Sequence, residues 1–253
     1  MKKWHDLLPN WAIIVMLTLI VTVNIISSFF GFSLLSKVAA LAIIPVLLLC
    51  YFYRQRFMAN VFYTIFILYF LGMLFNALDH LTLSSKLSES CFLAVYVLLV
   101  FVMFGKVKDV KFEGLVSMYL ILILLVNSYF MYIMFSSVKH SIADSVNFTL
   151  SVSKGIALLL MSFLAFAIYL SRETSQSIIF LTIVCCFVFS DVLSFITTMY
   201  VNFWLFEAVQ QILQGAGLLL FCIYVYNHHK VENNFIKTKA KSVSQSNQIP
   251  VQS

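Results

Sequence analysis

The stretch Ile178-Ile-Phe-Leu-Thr-Ile-Val-Cys-Cys-Phe-Val-Phe-Ser-Asp-Val-Leu-Ser-Phe-Ile-Thr-Thr-Met199 decides the fold. As a helix rising about 1.5 Å per residue it is about 33 Å long, enough to cross the ~30 Å hydrocarbon core of a bilayer. Its one acidic residue, Asp191, stands roughly two-thirds of the way along. A carboxyl at that depth costs a few kcal/mol, so it must face a polar interior or a partner helix rather than lipid. The bland role is a structural hydrogen bond to a neighbouring helix; the sharper one is function.

Similar apolar runs recur along nearly the whole chain, at about 11–30, 34–53, 60–78, 91–105, 114–135, 149–170, 177–199 and 203–226. With 62% hydrophobic and 10% charged residues, the composition lies far from that of a soluble domain. The expectation is an all-α polytopic membrane protein with eight transmembrane helices within residues 1–229. The polar, Ser/Gln/Asn-rich segment 230–253 reads as a disordered cytoplasmic tail. Met1-Lys2-Lys3 resembles the basic start of a signal peptide, but the apolar run after it is too long and has no small-residue cleavage site, so it reads as a first anchor.

The net charge of +6 follows topology rather than nucleic-acid binding. Lys2, Lys3, Arg54, Arg56, Lys106, Lys108, Lys111, Arg172, Lys230, Lys237, Lys239 and Lys241 all belong to one set of loops and ends, leaving only Lys37, Lys86, Lys139 and Lys154 on the other. By the positive-inside rule both termini are cytoplasmic, with the chain in the cytoplasmic membrane of a bacterium. Trp4 and Trp11 near one interface and Trp204 near the other suit aromatic belts. Cys50, Cys91, Cys185, Cys186 and Cys222 fall within spans without ligand spacing and read as apolar fillers. His228-His229 lacks acidic or thiol partners, and no phosphate loop, nucleophile elbow or zinc motif occurs, so neither metal nor cofactor is implied.

A repeat lies under the spans. Lys37 near the start of span two and Lys154 near the start of span six are 117 residues apart. An offset of 118 pairs Leu71-Gly72-Met73 with Phe189-Ser190-Asp191, and Glu89 with Glu207. Four spans per half would give the halves one orientation, hence two parallel four-helix repeats, 11–105 and 114–226, about an axis along the membrane normal.

The unusual polar residues fall in one layer, toward the non-cytoplasmic side. Glu207, Gln210, Gln211 and Gln214 follow i, i+3, i+4, i+7 on span eight; Asp191, Ser194 and Thr198 do so on span seven, and Asn76, Asp79 and His80 on span three. Lipid cannot satisfy such stripes, so a shared interior is expected. Interhelical hydrogen bonding accounts for the glutamine stripe equally well. Snorkelling to the interface accounts for Lys37 and Lys154 taken singly, His80 reads as a loop-end residue, and Asn24 and Asn127 as structural. Together the set reads as an outward-opening pocket, with Asp191 as a proton donor or base and Glu207, or less suitably Asp79, as the second carboxylate. Lys37, Lys154, Asn76, Gln210, Gln211 and Gln214 would bind substrate.

Eight spans, cytoplasmic termini, a lysine opening span two with Pro45 inside it, and Phe189-Ser-Asp-Val-Leu193 resemble the YhhN-like lysoplasmalogenase family over about residues 10–227. The resemblance implies a membrane hydrolase that cleaves the vinyl ether of lysoplasmalogens, releasing a fatty aldehyde and a glycerophospho-ethanolamine or -choline. It also implies paired aspartates, in a Gly-Asp of span three and a Ser-Asp of span seven. Asp191 matches the second, but Met73 stands at the first, and a thioether exchanges no proton. Lys37 aligns with the family's Lys-Pro element, with Val38 where the proline would be. Three readings follow: a lysoplasmalogenase-type hydrolase acting on a membrane lipid, a non-catalytic lipid-binding or interaction protein, and a transporter. The outer position of the ionisable layer and the scarcity of Gly and Pro, 7 and 3 residues, argue against the last.

Overall fold

Every peptide group in a bilayer core must find its partner inside its own segment, and a helix does this for long apolar runs. The computed structural model describes residues 11–54, 58–78, 82–107, 114–138, 145–171, 174–200 and 203–246, and among them the chain is entirely helical apart from turns. The elements are α1 (Trp11–Phe29), α2 (Ser33–Arg54), α3 (Asn60–Ala77), α4 (Thr82–Val107), α5 (Gly114–Val138), α6 (Ser145–Ser171), α7 (Ser175–Met199) and α8 (Trp204–Ser246). Seven of these, α2 to α8, are long and apolar enough to cross a membrane, and α1 offers a shorter apolar stretch, Ile14–Phe29. They suggest a multi-pass integral membrane protein.

Local chemistry sets the boundaries. Thr174 caps α7 in a reciprocal box: its Oγ1 accepts from Ser177 N at 3.2 Å, and Ser177 Oγ accepts from Thr174 N at 3.1 Å. Between α1 and α2 the chain turns at Gly31, whose φ of 74° suits a residue without Cβ. There Phe32 N donates to Ser27 O and Gly31 N to Ser28 O, closing the helix in a Schellman motif. The polar run Thr82-Leu-Ser-Ser-Lys-Leu-Ser-Glu-Ser90, which composition alone placed in a loop before span four, forms the first turns of α4 instead. α8 runs past His229, the composition-based boundary of the tail, as far as Ser246; after Gly217 no Gly or Pro occurs before Pro250. Residues 247–253 lie outside the described residues, as do Asp79, His80 and the loop cations Lys2, Lys3, Arg56, Lys108, Lys111 and Arg172.

The closest neighbours are α7 with α8, α4 with α6, α3 with α4 and α1 with α2. α6 also touches α7 and α5, and α8 returns to α1 and α2. Small residues allow tight crossings. A Cβ on Gly217 of α8 would come within 2.9 Å of the Phe187 ring on α7, and one on Gly155 of α6 within 3.0 Å of Phe135 on α5. The core is apolar and aromatic, with Ile44, Leu47, Phe66, Met161, Ile183 and Phe221 almost wholly enclosed. α5 is different: it packs mainly along α6, and Leu125, Val126 and Phe130 are all about 60% exposed. Most stray hydroxyls bond the carbonyl one turn back, as Thr18, Thr22, Thr149 and Thr182 do, and need no partner helix.

Candidate functional site

Three charged side chains converge where the N-termini of α4 and α6 meet the C-termini of α5 and α7. Glu89 is seven residues into α4, Lys154 nine into α6, and Asp191 eight from the end of α7. At 1.5 Å per residue all three lie about 10–14 Å below that end. Lys154 Nζ is 2.9 Å from Glu89 Oε2 and 3.2 Å from Oε1, a two-pronged ion pair, and sits 6.0 Å from the centroid of the Phe92 ring. The lysine also feels the Asp191 carboxylate, so one cation serves two acids.

Asp191 is held from a second side. The hydroxyl of Tyr96, a buried residue of α4, donates to its carboxylate. Tyr69 of α3 lies within electrostatic reach, and its hydroxyl accepts from Gln214 Nε2 of α8 at 3.0 Å. The Tyr69 ring packs on Phe187 of α7, centroids 5.8 Å apart, one turn below Asp191. Ser190, beside Asp191, ties α7 to α8 by donating to Gln210 O at 3.2 Å. Asp191 Oδ2 is buried and accepts no hydrogen bond. A buried polar atom without a partner is expensive and points to something the site is built to receive.

That something has room. A cavity of about 200 Å³ is walled by α4, α5, α6 and α7, with Glu89, Lys154 and Asp191 all on its surface. Ser151 and Ser194 add hydroxyls, while α5 contributes only apolar side chains apart from Asn127. Thr198 also lines it but donates its own proton to Ser194 O at 2.8 Å. The chemistry available is a carboxyl for proton exchange, a second carboxyl held by a cation, and a greasy wall for an alkyl chain. Among the described residues no group of three or more His, Cys, Asp and Glu side chains is placed to hold a metal.

Of the residues singled out in the sequence, Asp191, Lys154, Ser194, Thr198 and Asn127 line this cavity. Gln214 bonds Tyr69, which lies within electrostatic reach of Asp191. The remaining candidates lie apart. Glu207 is near the start of α8, accepts from Gln211 Nε2 at 3.5 Å and does not line the cavity. Gln210 contributes its backbone oxygen to Ser190. Lys37 Nζ donates to Ala77 O at 3.2 Å, joining α2 to the end of α3. Asn76 is exposed at that same end, and Asp79 lies outside the described residues. Asn24, expected to be structural, accepts from Ser36 Oγ at 2.6 Å between α1 and α2.

Glu89, Tyr96 and Tyr69 are the members that sequence reasoning did not assign to the site. Glu89 carried a signal, since the repeat paired it with Glu207 while pairing Lys154 with Lys37. It stands at the very start of span four, two residues before the apolar run at 91–105. The tyrosines carried none, being aromatic residues in aromatic-rich spans. No protein-family model, no curated protein and no solved structure matches the chain.

Proposed function

We propose that the protein is a lysoplasmalogenase-type membrane hydrolase of YhhN-like kind, cleaving the vinyl ether of a single-chain lipid at the Asp191 cavity. The observation that carries the proposal is Asp191 on the wall of a cavity that also holds a lysine-bound carboxylate. Protonated Asp191 delivers its proton to the outer alkene carbon, leaving an oxocarbenium at the carbon bonded to oxygen. Glu89 takes a proton from a water as that water's oxygen bonds to the cationic carbon. The hemiacetal then collapses: Asp191, now a carboxylate, takes back the hydroxyl proton as the C–O bond breaks and protonated Glu89 gives its proton to the leaving glyceryl oxygen, yielding fatty aldehyde and a free glycerol hydroxyl with both acids restored. Lys154 holds Glu89 in place and favours developing negative charge on either acid. In this role Glu89 replaces Glu207 and Asp79.

We place eight spans in the membrane, with α1 as the first, both termini on the cytoplasmic face of a bacterial inner membrane, and two parallel repeats. Neighbour relations support the repeat in part: each half packs in sequence order, and α4 lies along α6 where α8 touches α2 more lightly. Residues 118 apart also behave alike. Tyr69 and Phe187 meet each other, as positions on a twofold axis would, and Tyr96 and Gln214 both point a polar group into the same layer.

The test is to incubate purified protein with lysoplasmenylethanolamine and measure fatty aldehyde. Aldehyde should form, and Asp191→Asn should lower the rate by roughly 10²–10⁴, the usual contribution of a general acid, while melting remains cooperative. Absence of aldehyde from folded protein would refute the proposal. One observation favours a second reading, a lipid-binding protein without turnover: Met73, at the position pairing with Asp191, is buried at 8% exposure and brings no second acid to the axis.

A further inference from the structure

The cavity is too small for the molecule its chemistry suits. A cavity of about 150 Å³ takes a benzene ring, and sites that enclose a drug-sized ligand run to roughly 300–1,000 Å³. At about 200 Å³ this one holds a polar fragment and the first few carbons of a chain. The rest of an alkyl chain must lie elsewhere, and the cavity wall shows where. Two lining residues of α5, Asn127 and Phe130, are exposed well inside the helix end, while Thr198 and Met199 of α7 are exposed at that end, beyond Phe195. The cavity therefore reaches the outside along α5, on the side where α7 lines it.

That seam is held at one end. The rings of Phe135 on α5 and Phe195 on α7 meet edge to face at 5.3 Å, near the helix termini beside the charged cluster. Toward mid-helix the lining residues of α5 face the cavity without a comparable α7 partner, and α5 packs along α6 instead. Asn127 lies near the middle of α5, where an exposed amide is costly in hydrocarbon. Its Nδ2 donates to Ile123 O of its own helix, which leaves the amide oxygen out of that bond. An amide at mid-depth is explained if the polar end of an amphiphile passes it.

We infer that a single-chain amphiphile enters the cavity sideways from the bilayer through the α5–α7 seam, docking its polar end at Asp191 while its chain stays in the lipid past Asn127 and Phe130. The Asp191 carboxyl on the cavity wall supplies the acceptor for a hydroxyl or ammonium on the head. The Phe135–Phe195 pair shuts the seam above the charged groups, so the chain exits below them. This rests on reading the cavity as a lipid site, as the proposed function does, but not on turnover. A consequence is indifference to chain length, because no protein wall meets the chain end.

The experiment uses full-length protein in nanodiscs and a saturated ether lysolipid, 1-O-alkyl-glycerophosphoethanolamine, carrying a diazirine in mid-chain. The vinyl group is absent, so hydrolysis plays no part. Photolysis followed by peptide mapping should place adducts on α5 and α7, at Asn127, Phe130, Val192 or Phe189, and excess unlabelled lysolipid should remove them. Probes with chains from twelve to eighteen carbons should label within about threefold of each other. The double substitution Asn127→Trp with Phe130→Trp should cut seam labelling at least fivefold. Competable adducts on α1 or α2 would overturn the inference, as would a sharp chain-length optimum. So would α5–α5 cross-links that exclude the probe, which would mean that a second copy covers the seam. If the seam is labelled but no aldehyde forms from the vinyl lipid, the hydrolase reading fails and side access stands. If aldehyde forms and labelling lies elsewhere, the reverse holds.

Discussion

Removing one partner of the Glu89–Lys154 pair should cost more than removing both. At 2.9 Å and an effective dielectric near 20 the attraction is about 6 kcal/mol gross, most of it offset by desolvating the two ions. Breaking a fully buried pair costs roughly 3–5 kcal/mol. Here the side chains keep 18% and 27% of their exposure, so about 2–3 kcal/mol is expected for a single loss. The two singles should differ. With Glu89→Gln, Lys154 still has Asp191; with Lys154→Met, two carboxylates are left without their shared cation. Lys154→Met should therefore be the more damaging, and the double variant should recover to within about 1 kcal/mol of the parent, a coupling of roughly 3–5 kcal/mol. In a domain of this size each kcal/mol moves Tm by about 2–4 °C, so the singles should fall about 4–12 °C in detergent melting, with SDS titration as a second readout. Additive singles, with coupling below about 0.5 kcal/mol, would refute the claim that the pair is desolvated at the cavity wall.

Other outcomes follow from the same contacts. Tyr96→Phe removes the donor to Asp191 and should destabilise by about 1–3 kcal/mol while lowering aldehyde release, read by melting and turnover on the same preparation. Gln214→Leu breaks only the bond to Tyr69 and should cost near 0.6 kcal/mol, the average for hydrogen bonds between membrane helices; a loss above about 2 kcal/mol would mean that Gln214 does more than this. Gly217→Ala sets a methyl at 2.9 Å from the Phe187 ring and should cost roughly 1–3 kcal/mol by overpacking, seen as a lower SDS midpoint.

Helical segmentation was legible because it follows from hydrophobic length alone. Ile178–Met199 could only be a helix in lipid, and α7 occupies Ser175–Met199. The weaker boundary, at the start of α4, failed for an equally physical reason. Thr82 to Ser90 is polar enough to resemble a loop, yet its serines bond back into helices, Ser84 Oγ to Leu78 O and Ser88 Oγ to Gly72 O. Those bonds depend on α3 lying alongside, which hydropathy does not register.

From residue types and spacing alone came the apolar spans, the depth of Asp191 and the demand that it face something polar, because the solvent around a lipid-facing helix imposes these one segment at a time. Which acid keeps it company was a matter of packing. Glu207 and Glu89 stand at equivalent places in the proposed repeat, but α4 lies against α6, so Lys154 binds Glu89 and Tyr96 reaches Asp191. Helix-to-helix pairing is set by shape at crossings such as Gly155 and Gly217, where bare backbone meets an aromatic ring. That complementarity exists between segments distant in the chain, and no single segment encodes it.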